Sequence, residues 1–571
     1  VKLTDMSSMA SLAPGKTSQF YAEEAGPNLL DLQAQSGVAR ITGGVSPIAL
    51  ALAFQDWFLH LAASPGKQIE LMTGLCRPAS VGGDARFADS EWNKWPFNVF
   101  VTTFASTGQF WQQATSEVRG VAPHHAQVVN FAARQVVDGF SPSNFFWSNP
   151  EVLRAARDSK GQSLLAGLAN LRQDLRAPLT PAAAHAAVGR DVALTPGKIV
   201  YRNELVELIQ YEPQGPAVYR EPVLIVPSWI LKYYILDLSA HNSMVRYLVG
   251  QGHTVFMVSW RNPDVRDRNL GMDDYLARGL FDVLDEVARI GATPDVHAVG
   301  YCLGGTLLAI AAAALGSGRQ ACEARLHSVT LLAAQTDFSE PGELGLFIDD
   351  SEMNLLDAMM WQQGYLDGAQ MGASFQLLNA RSMIWTRIVR EYMLGIRAER
   401  SDLAHWNADA TRMPYRMHSE YLKRLFLDND LAAGRYCVNG KPVALKDIRA
   451  PLFVLGTERD QVAPWRSVYK INLLSNASVD FVLASGGHNA GIVSEPGHAR
   501  RSYRFTAPQP VGQAWVGPDE WLAKAQQAEG SWWPHWQRWL VAHSAAEQIS
   551  PPAMGAGVTL ADAPGMYVLG D

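Results

Sequence analysis

The hydrophobic pattern changes period about a third of the way along the chain. From about residue 30 to 176, apolar residues recur at helical spacing. Leu50, Phe54, Trp57, Phe58 and Leu61 fall on one face of a predicted helix. Ser46 is placed to cap that helix, Pro47 takes its first position, and Ser64-Pro65-Gly66 ends it. Such a face either docks on the protein's own core or anchors the chain at a lipid-like surface. Asn149-Pro150 opens another helix by the same cap chemistry, with Val152, Leu153 and Ala156 facing inward. An Ala- and Pro-rich stretch, 177–197, reads as a linker. Beyond it come short apolar runs at 205–211, 223–226, 254–258, 296–299, 329–333, 452–455 and 481–483, separated by helical or turn segments. Strands alternating with helices predict a mostly parallel sheet covered on both faces. The gap between 333 and 452 is too long for a structureless loop. Met383, Trp385, Ile388, Val389 and Tyr392 show helical spacing there, so a mostly helical cap is expected at about 338–448. The resulting division is a flexible segment 1–29, a helical domain with its linker 30–197, and an α/β domain 198–571.

The most specific string is Gly300-Tyr301-Cys302-Leu303-Gly304-Gly305, between the apolar run 296–299 and an Ala- and Leu-rich run 307–315. It reads as a nucleophile elbow with cysteine in the position usually held by serine. Such a turn strains its central residue, so Gly300 and Gly304 supply room and Gly305 lets the helix approach the sheet. The thiol then sits at a helix N-terminus, where the macrodipole favours thiolate. A Gly-x-Cys-x-Gly string also arises by chance, and free cysteines are mostly small buried hydrophobes. The strand–turn–helix context tips the reading towards catalysis and towards the α/β-hydrolase fold. In that fold the acid and then the base follow the nucleophile along the chain. Asp460, in the loop after 452–455, is the candidate acid; Glu458 in the same loop and Asp337 are its rivals. His488, among glycines after 481–483, is the candidate base, whereas His253 and His297 read as packed residues. Two backbone N–H groups should form an oxyanion hole, one from Leu303 and one from near Trp229 or Ile230.

Composition narrows the class. A chain of 571 residues exceeds one ordinary core. A formal charge of -7 leaves no basic footprint for nucleic acid. Cys76, Cys302, Cys322 and Cys437 form no Cys-x-x-Cys pair, and no histidine pair has metal-ligand spacing, so neither zinc nor a disulfide framework is expected. A Gly-rich phosphate loop is also absent, so no cofactor is expected. The first residues lack a signal-peptide pattern, and no stretch approaches the ~20 apolar residues of a membrane span. A cytoplasmic protein is the expectation.

Motifs along nearly the whole chain resemble the class I poly(3-hydroxyalkanoate) synthases. They include Asp84-Ala-Arg86-Phe87, Ser141-Pro142-Ser143-Asn144-Phe145, Val226-Pro227-Ser228-Trp229-Ile230 and Tyr234-Ile235-Leu236-Asp237-Leu238. Ser259-Trp260-Arg261-Asn262-Pro263-Asp264, the elbow, Ala463-Pro464-Trp465 and Gly487-His488 continue the series. The resemblance implies a lipase-like catalytic domain and an (R)-3-hydroxyacyl-CoA substrate. It also implies a growing polyester chain, a homodimer and residence on intracellular polyester granules. In many such enzymes histidine follows the catalytic aspartate, whereas Gln461 stands here, which puts any role for a second histidine in doubt. Whether Asp460 orients His488 or assists the substrate hydroxyl stays open at this level. A cysteine thioesterase or polyester depolymerase on the same fold is the alternative enzyme, and a non-catalytic granule coat the alternative outside enzymes. Trp532, Trp536, Trp539 and Leu540 share a helical face that packs on the sheet or else meets polymer.

Overall fold

The computed structural model describes residues 28–74, 83–176, 187–372, 384–397, 401–507 and 514–570. The segment predicted to be flexible, apart from its last two residues, lies outside the described residues, as do Cys76, Met383 and the first part of the linker.

Eleven strands form the main sheet: β1 (Gly197–Arg202), β2 (Val206–Tyr211), β3 (Val223–Val226), β4 (Val255–Trp260), β5 (Asp295–Tyr301), β6 (Arg325–Leu332), β7 (Leu452–Thr457), β8 (Val479–Ala484), β9 (Ser502–Phe505), β10 (Gln526–Glu529) and β11 (Ala561–Asp562). Their spatial order is β10-β9-β8-β7-β6-β5-β3-β4-β2-β1-β11. The centre, from β4 through β3, β5, β6 and β7 to β8, is parallel, and the pairings outside it are antiparallel. The expectation of a mostly parallel sheet therefore holds for the centre only. The strands missing from the sequence reading are those with little apolar content to show. β1 interleaves Lys198 and Arg202 with its apolar residues, β10 reads Gln-Gln-Ala-Glu, and Gly197, placed in the linker, begins β1.

Alternation along the central strands feeds two cores. Leu224, Val226, Val296 and Ala298 face one; Val223, Ile225, Val299 and Tyr301 face the other. The helix Leu303–Gly316 after β5 is apolar all round and buried from Leu303 to Ala314, which suits a helix enclosed in the interior. The last helix, Trp533–Ala542, packs Trp532, Trp536 and Trp539 around Phe453 of β7, so this tryptophan face belongs to the core and not to a polymer surface.

The N-terminal region is helical: Leu29–Thr42, Pro47–Ala62, Pro65–Gly74, Phe97–Thr115, Pro123–Gly139, Pro150–Asp158 and Gln162–Arg176. Ser46 Oγ accepts the Ala49 N–H at 3.2 Å, as its cap position predicts. The face expected to dock is only partly covered. Ala53 and Trp57 are buried, while Phe58 is 62% exposed and Leu50 and Phe54 lie at the surface. Between β6 and β7 the chain forms a cap with helices Asp350–Gln363, Asp402–Ala408 and Tyr415–Tyr421. The N-terminal helices are bonded to this cap. Ser46 N donates to Glu352 Oε2 at 2.8 Å, Arg40 Nη2 to Gln362 Oε1 at 2.7 Å, and Tyr392 Oη to Asp174 Oδ2 at 2.8 Å.

Candidate active site

Cys302 sits at the tight bend between β5 and its helix, with φ 54° and ψ −123°. A non-glycine residue with positive φ costs on the order of 1–3 kcal/mol, and surrounding structure must hold it there. Here the Cys302 N–H donates to Leu332 O at 2.9 Å, and Cys302 O accepts from Gly305 N at 2.9 Å. The neighbouring glycines are obligatory on space alone. A Cβ on Gly304 would meet Val226 O at 2.2 Å, and one on Gly300 would meet Gly305 Cα at 2.4 Å.

The loop after β7 carries Asp460, whose carboxylate is held from three directions. Val462 N and Ala463 N donate to Oδ1 at 2.9 and 2.8 Å, and Thr457 Oγ1 donates to Oδ2 at 3.0 Å. Oδ2 also meets His488 Nδ1 at 2.8 Å. His488 lines the same chamber as Cys302, whose sulfur acts on the charge of the imidazole. Three residues far apart in sequence thus converge: sulfur, imidazole, carboxylate. Burial disfavours charge on His488, but the Asp460 carboxylate and the Cys302 sulfur outweigh it and hold the imidazole pKa well above its ordinary value. Such a shift favours the imidazolium. Tyr301 supports the histidine loop, with its ring 5.7 Å from the His488 ring and its hydroxyl donating to Asn489 Oδ1 at 2.7 Å.

The rival carboxylates are engaged elsewhere. Glu458 faces Arg504 at 3.6 Å, and Asp337 accepts from Ser339 N at 2.8 Å. His253 and His297 are fully buried in the core. Of the oxyanion candidates, Leu303 occupies the first helical position, where its N–H has no intrahelical acceptor. Ile230 borders the cavity beside Cys302, with its N–H 3.5 Å from Ser228 Oγ. The ring of Trp229 packs against Tyr275 and Trp260.

Cys302 is half-buried and opens on two chambers. The first, about 140 Å³, is walled by apolar cap residues such as Met359, Met413 and Leu422. The second, about 670 Å³, adds polar groups, among them Arg459, Gln461, Asn407 and Asn489. Sequence reasoning missed three contributors to the apolar chamber: His418, Tyr421 and the loop Gly43-Gly44-Val45. His418 and Tyr421 stand one turn apart on the cap helix Tyr415–Tyr421, a polar pair on an otherwise apolar wall. Burial lowers the His418 pKa to about 4, so this imidazole is neutral at working pH. Burial, reinforced by the charge on Cys302, keeps the Tyr421 phenol protonated. No sequence signal ties residues 43–45 to Cys302, because their approach depends on how the helices dock on the cap. Among the described residues no group of three or more acidic, histidine or cysteine side chains could hold a metal ion. No single described helix is long and apolar enough to cross a membrane, although Leu29–Thr42 and Pro47–Ala62 pass the same test together, bent by 71°.

Comparison with known proteins identifies the family and the fold. Residues 25–67 match the N-terminal family of poly-beta-hydroxybutyrate polymerase, 83–248 match a second N-terminal family of that enzyme, and 221–495 match the alpha/beta hydrolase fold. A poly(3-hydroxyalkanoate) polymerase of Methylorubrum extorquens is 38% identical over 85% of this chain and 80% of its own length. The chain belongs to the poly(3-hydroxyalkanoate) polymerase family. The Rhizobium meliloti polymerase subunit is 35% identical over 90% of this chain and 83% of its own, and that of Cupriavidus necator 34% over 85% and 83%. In this polymerase Cys302, Asp460 and His488 all lie within the stretch matched to the alpha/beta hydrolase fold. The two N-terminal matches cover the helices that dock on the cap.

Proposed function

We propose that the chain polymerises (R)-3-hydroxyacyl-CoA into polyhydroxyalkanoate through a thioester on Cys302. The convergence of Cys302 with the His488–Asp460 pair, at the junction of a polar and an apolar chamber, carries this reading. The Cys302 thiolate attacks the acyl carbon of the substrate. The bond to CoA breaks, and the departing CoA sulfur takes the proton of the His488 imidazolium. One thioester replaces another, so the acyl group stays activated. The 3-hydroxyl of the next hydroxyacyl-CoA then gives its proton to neutral His488 while its oxygen attacks the acyl carbon. Cys302 leaves as thiolate, and the lengthened acyl-CoA reloads it. Proton removal from a poor alcohol nucleophile is typically worth ~10²–10⁴-fold. The three other hydrogen bonds to the Asp460 carboxylate favour a role in orienting His488. The Leu303 and Ile230 N–H groups are the proposed donors to the oxyanion. The apolar cap limits access of water, the competing nucleophile.

The test supplies (R)-3-hydroxybutyryl-CoA and follows released thiol, insoluble polyester and the intact mass of the protein. An acyl adduct on Cys302 and polyester are expected, and Cys302→Ala should lose CoA release. Free hydroxy acid as the sole product would make the chain a thioesterase. Activity retained in Cys302→Ala would remove the thiol from the mechanism. Residence on granules in the cytoplasm is part of the same proposal. It is supported by an exposed apolar face on the first two helices, where Ile41 is 88% and Ile48 66% exposed. So is a homodimer, to be checked by sedimentation of the purified protein.

A further inference from the structure

A cavity of about 140 Å³ cannot hold a polymer. An apolar cavity of ~150 Å³ takes a molecule the size of benzene, roughly one short acyl unit. A second apolar cavity, about 250 Å³, lies on the far side of Val45 and Phe347, which wall both. It is formed mainly by apolar residues, Ala49, Ala53, Val128 and Ala132 of the N-terminal helices and Leu346 and Phe347 of the cap, with His124, His125, Asp349 and Glu352 also on its wall. Both dividing residues belong to slender segments. Val45 follows Gly43 and Gly44, which have φ of 66° and 89°, and Phe347 ends the short turn Gly342–Phe347. Phe347 is half-buried, with its ring centroid 5.6 Å from that of Phe131 and the two rings nearly perpendicular. The outer cavity reaches the surface beside Leu50, on the helix that exposes Ile48, Leu52 and Phe58.

The geometry points to an exit for the product: the growing polyester, tethered at Cys302, threads past Val45 and Phe347 into the outer cavity and emerges on the apolar face of the helix Pro47–Ala62. This inference rests on the thioester reading above. It assigns the seam between N-terminal helices and cap a binding role for an extended, uncharged polyester. Substrate and product then use different sides of Cys302. The polar chamber, with Arg459, admits the anionic CoA ester, and the apolar seam carries the chain away.

The test fills the outer cavity without touching the site. Ala49→Trp and Ala132→Trp place a large ring in it, and Ala51→Trp, on the exposed side of the same helix, is the control. Each full-length variant is assayed with (R)-3-hydroxybutyryl-CoA for first-turnover CoA release, thermal midpoint, intact mass and polymer mass. The expected result for the two filled variants is unchanged first-turnover release and midpoint, polymer mass reduced severalfold, and short oligomers arrested on Cys302. Ala51→Trp should give polymer of normal mass. Polymer of normal mass from both filled variants would overturn the exit. So would an equal loss of mass in the control. Failure to acylate Cys302 in the unaltered protein would instead defeat the thioester reading itself.

Discussion

At the residue scale, the chemistry turns on His488. Its raised pKa means that the folded site favours the imidazolium, and that preference persists as pH rises through neutrality. In an NMR titration the His488 ring should therefore remain an imidazolium between about pH 6 and pH 8, whereas an ordinary imidazole of pKa ~6.5 loses its proton over that range. Cys302→Ala should move that titration towards neutral pH; a ring that titrates as an ordinary imidazole in the unaltered protein would overturn the raised pKa. Asp460→Asn removes the carboxylate that faces His488 Nδ1 at 2.8 Å. Turnover should fall roughly 10²–10⁴-fold with little change in KM, because the group acts through the base and not on bound substrate. Backbone strain at Cys302 gives an independent check. At φ 54° a glycine is relaxed where alanine is strained by ~1 kcal/mol, so Cys302→Gly should melt above Cys302→Ala. The reverse order would place Cys302 in ordinary backbone.

At the scale of elements, the elbow and the seam depend on different forces. Gly304→Ala forces a methyl against the carbonyls of Val226, which ends the neighbouring strand β3, and of Pro227, which follows it. A loss on the order of 3 kcal/mol is expected in denaturant unfolding. The seam carries Glu352, buried and accepting the Ser46 N–H, with its pKa raised to about 7 chiefly by burial and further by Asp349. The folded pKa exceeds the unfolded value of 4.5, so protonated Glu352 is favoured in the fold. That stabilisation is full below pH 4.5 and is lost as pH rises towards 7, at up to about 3 kcal/mol. His124 and Asp349, 3.6 Å apart, lie beside it, so the comparison must be made within one background. Glu352→Gln should raise the thermal midpoint at pH 8 and change it little at pH 4. A gain of equal size at both pH values would exclude ionisation as the cause.

The same elements show why some of the molecule was readable in advance. The elbow was legible because its glycines are dictated by local space and its apolar strand and helix announce themselves by period. Asp460 and His488 were legible because loops after strand ends carry polar chemistry in chain order. By contrast β9, β10 and β11 lie at sheet edges, where burial is incomplete and no apolar pattern is required. His418, Tyr421 and Val45 meet Cys302 only through the docking of helices on the cap, a long-range event without a local signature.

For the whole molecule, the question is how a protein of net charge -7 works at the boundary between water and polyester. The helix Pro47–Ala62 lines the outer cavity through Ala49, Leu50 and Ala53 and exposes Ile48 and Phe58, so the surface that would adhere adjoins the one where product would emerge. Coupling the two has a physical advantage: an apolar chain leaving the protein would pass from one apolar surface to another without crossing water, where its exposure costs ~25 cal/mol per Å². Replacing Ile41, Ile48 and Phe58 together by glutamine tests that coupling. These side chains are exposed, so each change should alter stability by no more than ~0.5 kcal/mol. First-turnover CoA release should match the unaltered protein, while the fraction that co-sediments with purified polyester granules should fall severalfold. If co-sedimentation is unchanged, the adhesive surface lies elsewhere on the molecule; if CoA release falls in parallel, these residues support the catalytic chamber instead of the granule.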